Sequence, residues 1–341
     1  MKFGIGQPVR RIEDSRFVTG SGQYTDDLRF PREIHAVFMR SPHAHARIAG
    51  VDATEALRMP GVVGVLTAAD VTAAEANPMP CMAPVPNRDG TPIVFTPKPL
   101  LAEDKVTFVG EALAMVVAET LGQAKDAAEK VAVDYEPLPA VGTLAAAHDG
   151  PQIWDGKNNL CFDWAAGDEG GVAAAFAAAA HTASVEVVQN RVSANPMETR
   201  NAIGLYEDGR YTLYSGNQGS GNLRGALHAV LGTSDENLRA ICKDVGGGFG
   251  MKGFLYPEQA LVLIAAKKVG RPVRWSADRT ESFLADDHGR DMTHKGELGL
   301  DKDGKILGLR ITGTAAMGGY LSLYAPFIPT VAGGRIFGGV Y

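Results

Sequence analysis

Two hydrophobic periods alternate along this chain, and the switches between them mark its elements. Ile34-His35-Ala36-Val37-Phe38-Met39-Arg40 is rich in β-branched and aromatic residues and predicts a strand. The short apolar run Val62–Leu66 predicts a buried strand, and Ala112–Ala118 and Val131–Tyr135 predict two more around a helix over Leu121–Lys130. Asp52 and Glu55 imitate a capping box for a short helix over Asp52–Arg58. Residues 77–99 carry Pro78, Pro80, Pro84, Pro86, Pro92, Pro97 and Pro99, so an irregular excursion is expected there. Strands interleaved with short helices predict an α+β first domain at about 18–138, closed by Glu136-Pro137-Leu138-Pro139. The polar residues 1–33 ahead of the first strand read as an arm folded over another surface.

Residues 140–170 read as a linker, followed by an alanine helix over Gly171–His181 with little packing volume of its own, which suits a crowded surface. A strand over Val185–Val192 and the turn Asn195-Pro196-Met197-Glu198-Thr199-Arg200 come next. Ala202–Tyr206 and Arg210–Ser215 pair around the hairpin turn Glu207-Asp208-Gly209. Two strand–loop–helix units then run in succession. In the first, Ser215-Gly216-Asn217-Gln218-Gly219-Ser220-Gly221 leads into a helix over Leu223–Leu231 stopped by Gly232. In the second, the strand Leu238–Cys242 leads into Asp244-Val245-Gly246-Gly247-Gly248-Phe249-Gly250-Met251-Lys252 and a helix over Tyr256–Val269. That helix has Pro257 in its first turn and Gly270 and Pro272 beyond its end, and its apolar residues run all round, so it is expected to be buried. Strands side by side in one sheet would bring both loops to one edge. Pro272–Ser276 predicts another strand, and Asp301–Lys305 a hairpin turn before the strand Ile306–Thr312. The glycine-rich stretch 318–341 shows no closing helix or polar tail and reads as the end of a truncated chain.

At 341 residues, 45% hydrophobic and 21% charged, the chain has the composition of a soluble two-domain protein. A net charge of −6 without a Lys/Arg block argues against nucleic acid as a partner. No run of about 18 uncharged apolar residues exists to span a membrane, and the start Met1-Lys2-Phe3-Gly4 lacks an apolar export signal. Cys81, Cys161 and Cys242 lie far apart with no CxxC, which excludes an iron–sulfur or zinc site built from these cysteines alone and favours reduced cytoplasmic thiols. His43 and His45 have a spacing seen among metal ligands, but with no third ligand nearby a hydrogen-bonded structural role is expected.

The candidate chemistry sits in the second glycine loop. Four of the residues 246–250 are glycine, which permits close approach of backbone to a ligand, and Phe249 is the one bulky group, expected to act as a wall. A turn leading toward a helix presents free N–H groups suited to anionic or oxo ligands. Gly248–Gly253 matches GxGxxG between a strand and a helix, so a nicotinamide dehydrogenase is an alternative. Against it, Phe249 and Met251 flank the glycine that would touch a pyrophosphate, and Asp278 lies later than a ribose-binding acid should. A phosphate-gripping Walker loop fails because Gly253 follows Lys252. An ordinary tight turn remains the plainest alternative.

Asp244–Lys252 followed by Tyr256-Pro257-Glu258 resembles the molybdenum-cofactor-binding subunit of the xanthine oxidase family of molybdenum hydroxylases. The resemblance runs along almost the whole chain. Arg11–Gly20, Tyr24–Asp27, Arg40–Ile48, Pro60–Val62 and Asp134–Pro139 are similar to the family's α/β-hammerhead domain, and Asn195–Glu198 and Gly270–Trp275 to its first molybdopterin-binding domain, here over 150–341 and C-terminally truncated. The first third is most similar to carbon-monoxide-dehydrogenase-like and aldehyde-oxidase-like large subunits.

The resemblance implies an oxidoreductase that holds molybdenum through molybdopterin, in its cytosine dinucleotide form, with no protein ligand to the metal. It implies hydroxylation of carbon monoxide, an aldehyde or an N-heterocycle with oxygen from water. Gln218 would hydrogen-bond a metal oxo group, and Gly248, Phe249 and Gly250 would lie beside the metal and pterin, offering backbone N–H donors. Electrons would pass to an iron–sulfur small subunit and an FAD medium subunit, in a cytoplasmic dimer of heterotrimers. Purine-oxidising members carry a glutamate where this chain has Gly253. The family's catalytic glutamate falls toward the C-terminus, beyond Tyr341, so no catalytic residue is assigned here. A non-catalytic assembly fragment is the remaining alternative.

Overall fold

The computed structural model describes residues 5–154 and 159–338. Met1–Gly4, residues 155–158 of the expected linker and the last three residues of the glycine-rich stretch lie outside the described residues. The chain supplies strands β1 (Ile34–Arg40), β2 (Ala46–Asp52), β3 (Val62–Leu66), β4 (Lys105–Val106), β5 (Ala112–Ala118), β6 (Ala132–Pro137), β7 (His181–Gln189), β8 (Asn201–Glu207), β9 (Arg210–Tyr214), β10 (Leu238–Ile241), β11 (Val273–Ser276), β12 (Met292–Leu300) and β13 (Ile306–Ala315). Seven of them form one sheet in the order β10-β9-β8-β11-β1-β5-β3. This sheet takes strands from both of the expected segments: β11 runs parallel to β1, with Ile34 opposite Val273. A sheet shared in this way ties the first segment to the second by backbone hydrogen bonds as well as by side-chain packing.

The helix Pro257–Val269 crosses β8, β9 and β11, and every residue from Pro257 to Ala266 is buried, as its all-round apolar pattern requires. It lies so close to β8 that a Cβ on Gly204 would sit 2.4 Å from the Val262 carbonyl oxygen. Glycine at the centre of that strand is therefore a packing requirement. Trp275, Ala202, Leu213, Leu227 and Leu238 belong to the core around it.

Two small three-stranded sheets flank this body, β4-β2-β6 and β13-β12-β7. The alanine helix spans Glu169–Ala178, not Gly171–His181, because His181 pairs with Leu300 and starts β7. Ala175 and Phe176 approach Gly299 of β12 and Gly308 of β13, but no residue of the helix is buried, so the crowded surface expected for it is not found. The closing stretch differs from expectation, since Ile328–Ala332 and Gly333–Phe337 are helical. The arm is folded back as expected: Arg16 pairs with Asp244, and Tyr24 bridges to Asp244 in parallel.

Candidate cofactor site

β9 and β10 are parallel neighbours, so the loops that leave them emerge at the same sheet edge. There the Gly250 N–H donates to Gln218 Oε1 at 2.9 Å, and the Gln218 N–H donates to the Lys252 carbonyl at 3.0 Å. The two loops, separated by some thirty residues in sequence, thus form one surface. Their approach is close enough that a Cβ on Gly248 would lie 2.5 Å from Gln218 Oε1.

Glu198, in the turn before β8, joins the loops from beneath. Its Oε2 accepts from the Gly246 N–H at 2.8 Å and from Lys252 Nζ at 2.7 Å. Its Oε1 accepts from Asn201 Nδ2 at 3.1 Å, and Asn201 Oδ1 in turn accepts from the Gly216 N–H at 3.2 Å. The Lys252 side chain is 1% exposed, so this ion pair is largely shielded from water.

Lower still, a buried charge cluster carries the start of the long helix. Arg200 donates to Glu258 Oε2 at 2.7 Å and to Asp286 Oδ1 at 2.5 Å, and Arg40 donates to Glu258 and Glu281, each at 2.6 Å. Burial alone would push the Glu258 carboxyl up, but Arg200 and Arg40 outweigh it and hold the group well below the usual carboxylate range. At Glu281 burial wins over Arg40, and its carboxyl is pushed up. The Arg200 guanidinium stacks 3.8 Å over the Tyr256 ring, whose hydroxyl donates to the Met251 carbonyl at 3.1 Å and so steadies the second loop from below.

Of the expected site residues, Gln218 and Gly250 line a cavity of about 370 Å³, together with Gly219, Asn222, Gly253, Phe254, Tyr324, Phe327 and Ile328. Gly248 sits behind Gln218, outside the lining. Phe249 is 77% exposed with φ +52°, so it stands free at the loop tip and walls nothing within these residues. The Gly250 N–H, expected to face a ligand, is taken up by Gln218. That bond engages the amide oxygen, and no side chain or carbonyl among the described residues takes up the NH₂ of this cavity-lining glutamine. Sequence reasoning missed Asn222, which follows the first loop on its helix, and the wall from Phe254 and the 324–328 stretch. The only signal for the wall was aromatic residues in a glycine-rich segment.

The dinucleotide alternative finds no support in this geometry. Gly253 closes a short 3₁₀ turn, and the helix that follows starts at a buried Pro257 with the Tyr256 N–H capped by Gln259. Asp278 is occupied capping Arg279–Ala285. His45 Nδ1 bonds the Pro139 carbonyl at 2.7 Å and His43 packs on Tyr135, while no group of three His, Cys, Asp or Glu side chains among the described residues is placed to hold a metal ion. The three thiols are free, and burial pushes each of them up.

The two glycine loops form one surface beside a cavity, and comparison with known proteins gives the family. The model for the molybdopterin cofactor-binding domain matches residues 153–341, and the model for the aldehyde oxidase and xanthine dehydrogenase a/b hammerhead domain matches residues 19–139. The chain belongs to the xanthine oxidase family of molybdenum hydroxylases.

The gamma subunit of the 6-hydroxypseudooxynicotine dehydrogenase complex of Paenarthrobacter nicotinovorans is 34% identical over 98% of this chain and 42% of its own length. The carbon monoxide dehydrogenase large chain of Hydrogenophaga pseudoflava is 34% identical over 90% of this chain and 39% of its own. Among solved structures, quinoline 2-oxidoreductase from Pseudomonas putida 86 superposes with a TM-score of 0.85 at 36% identity, over 95% of this chain and 41% of its own. The chain thus spans about 40% of the length of these three relatives. No helix among the described residues is long and apolar enough to cross a membrane.

The residues present fit the cofactor. A molybdenum oxo group is an acceptor, and the free end of the Gln218 amide is a neutral donor that does not compete for the metal. Gly250, with φ +93° and open space where a Cβ would stand, leaves room for a pterin edge.

Proposed function

We propose that this chain forms the cofactor-holding part of a molybdenum hydroxylase large subunit, in which Gln218 orients the metal oxo group and Gly248, Phe249 and Gly250 form the backbone beside the pterin. The observation that supports this reading is the Gly250 N–H to Gln218 Oε1 bond at 2.9 Å, which engages the amide oxygen and leaves the NH₂ of this cavity-lining side chain to meet a ligand. When bound, the molybdopterin–molybdenum group, in its cytosine dinucleotide form, supplies the two-electron oxidation and delivers oxygen drawn from water. Gln218 contributes a fixed donor that needs no reorientation during reaction. The cavity lining includes no carboxylate or imidazole, so no general base is assigned to these residues.

Carbon monoxide, an aldehyde and an N-heterocycle are the candidate substrates. The wall of Phe254, Tyr324 and Phe327 favours a flat N-heterocycle, which two of the similar proteins are also named for. Gly253 offers no carboxylate contact of the purine-oxidising kind. The proposal includes electron transfer to iron–sulfur and FAD subunits on partner chains, in a cytoplasmic dimer of heterotrimers; the three cysteines here are free and dispersed and build no cluster among themselves.

The test is to isolate the natural assembly containing this chain, then measure molybdenum, pterin and dye-linked oxidation of quinoline, an aldehyde and carbon monoxide. Stoichiometric molybdenum with turnover of the heterocycle supports the proposal. Bound NAD, or an assembly with neither metal nor turnover, would favour the dehydrogenase or the assembly-fragment alternative.

A further inference from the structure

The Glu198 carboxylate accepts from three donors, lies outside the cavity lining and is largely, though not wholly, shielded from water. Through Gly246 and Lys252 it holds the second glycine loop, and through Asn201 it reaches Gly216 of the first. The fit is close on both sides. A Cβ on Gly246 would stand 2.5 Å from Glu198 Cβ, and one on Gly216 would stand 3.1 Å from Glu198 Oε2. The Glu198 N–H also donates to the Gly246 carbonyl at 3.1 Å, so main chain and side chain grip the same loop residue. From Gly246 it is a short step to Gly250, and from Gly216 to Gln218, the two residues whose mutual bond orients the amide.

We infer that Glu198 is a positioning residue for the cofactor site: with Lys252 it sets the separation of the two loops and thereby the direction of the Gln218 amide NH₂. An ion pair is suited to the task, because a neutral side chain could accept from one loop but would not also pin Lys252, whose buried ammonium needs a counter-ion. Glu198 itself touches no cofactor, and its effect passes through Gly246, Lys252, Asn201 and Gly216. The inference rests on the molybdopterin reading of the loops for its functional consequence, but not for its mechanical one.

The experiment compares Glu198→Gln, Lys252→Met and the double variant Glu198→Gln/Lys252→Met, which leaves no lone buried charge. Val117→Ala, a wholly buried position in β5, serves as a stability control. In the natural assembly, molybdenum content of the single and double variants is expected to fall about 10- to 100-fold. The electron paramagnetic resonance signal of the remaining reduced molybdenum should shift, while Val117→Ala lowers the melting temperature and leaves both unchanged. In the cofactor-free protein, amide exchange at Gly246 and Gly250 should quicken about tenfold or more in the Glu198 variants and not in the control. A double variant with wild-type molybdenum, signal and exchange would overturn the inference. So would a control that moves all three as far. Should the wild type hold no molybdopterin, the proposed function fails, and the exchange measurement still decides the role of Glu198.

Discussion

Replacing Gly248 by alanine separates stability from function at this site. The backbone there lies outside the left-handed region, so a Cβ meets no conformational objection. It would, however, stand 2.5 Å from Gln218 Oε1 and 2.8 Å from Cδ, and the glutamine must swing away. The Gln218 side chain is exposed, so the swing itself is easy, and the loss is the Gly250 N–H bond, worth about 1 kcal/mol net. In a chain of this size that lowers the melting temperature by only about 2 °C. The amide NH₂ leaves its place at the cavity, and removing one preorganised donor costs about 10²-fold in kcat/KM, or about 2.7 kcal/mol. The assay pairs a thermal melt with heterocycle turnover in the natural assembly, on Gly248→Ala, Gln218→Ala and both together. The double variant should lose no more activity than either single one, since both remove the same donor. Turnover within twofold of wild type, or a melt lowered by 10 °C, would refute the reasoning.

Three further outcomes follow from the packing and the buried charges. Gly204→Ala places a Cβ against the Val262 carbonyl and should destabilise by about 3 kcal/mol in a denaturant titration, since neither backbone can move aside cheaply. Glu258→Gln leaves Arg200 and Arg40 short of a buried counter-charge and should cost about 3–5 kcal/mol at neutral pH. Because the Glu258 carboxyl is depressed when folded, its contribution is complete above the unfolded value of 4.5 and fades as pH falls, so the variant's deficit should shrink in acid. Glu111 behaves in the opposite sense: burial raises its carboxyl despite the Thr107 N–H at 2.7 Å, so stability is lost as pH rises from 4.5 through the folded value. Glu111→Gln should flatten that part of the pH–stability curve.

What the sequence made legible were the features governed by local chemistry. Gly232 and Gly270 stop their helices in the left-handed conformation at φ +59° and +65°, and Asp208-Gly209 turns the β8–β9 hairpin. The convergence of the two glycine loops followed from strand–loop–helix units laid side by side. Features decided by distant partners were not legible. The alanine run gives up His181 to β7 because pairing with Leu300 offers a hydrogen-bonded neighbour that helix propensity cannot match. β12 carries Lys295, Gly296, Glu297 and Gly299 and has no strand pattern of its own, yet it is held on both sides by β7 and β13. Glu198 looked like a polar turn residue, since nothing local says that Gly246 and Lys252, some fifty residues on, will close over it. Phe249 stands exposed, and the aromatic side of the cavity comes instead from Phe254, Tyr324 and Phe327.

The central claim is that Gln218 presents its amide to a molybdenum oxo group beside Gly250. It is tested most directly by a crystal structure of the natural assembly with anomalous diffraction collected across the molybdenum absorption edge. A single molybdenum peak in the cavity, with an oxo ligand within hydrogen-bonding distance of Gln218 Nε2 and no protein atom on the metal, is the expected result. A peak remote from Gln218 and Gly250, or a dinucleotide along Gly248–Gly253 with no molybdenum, would contradict it.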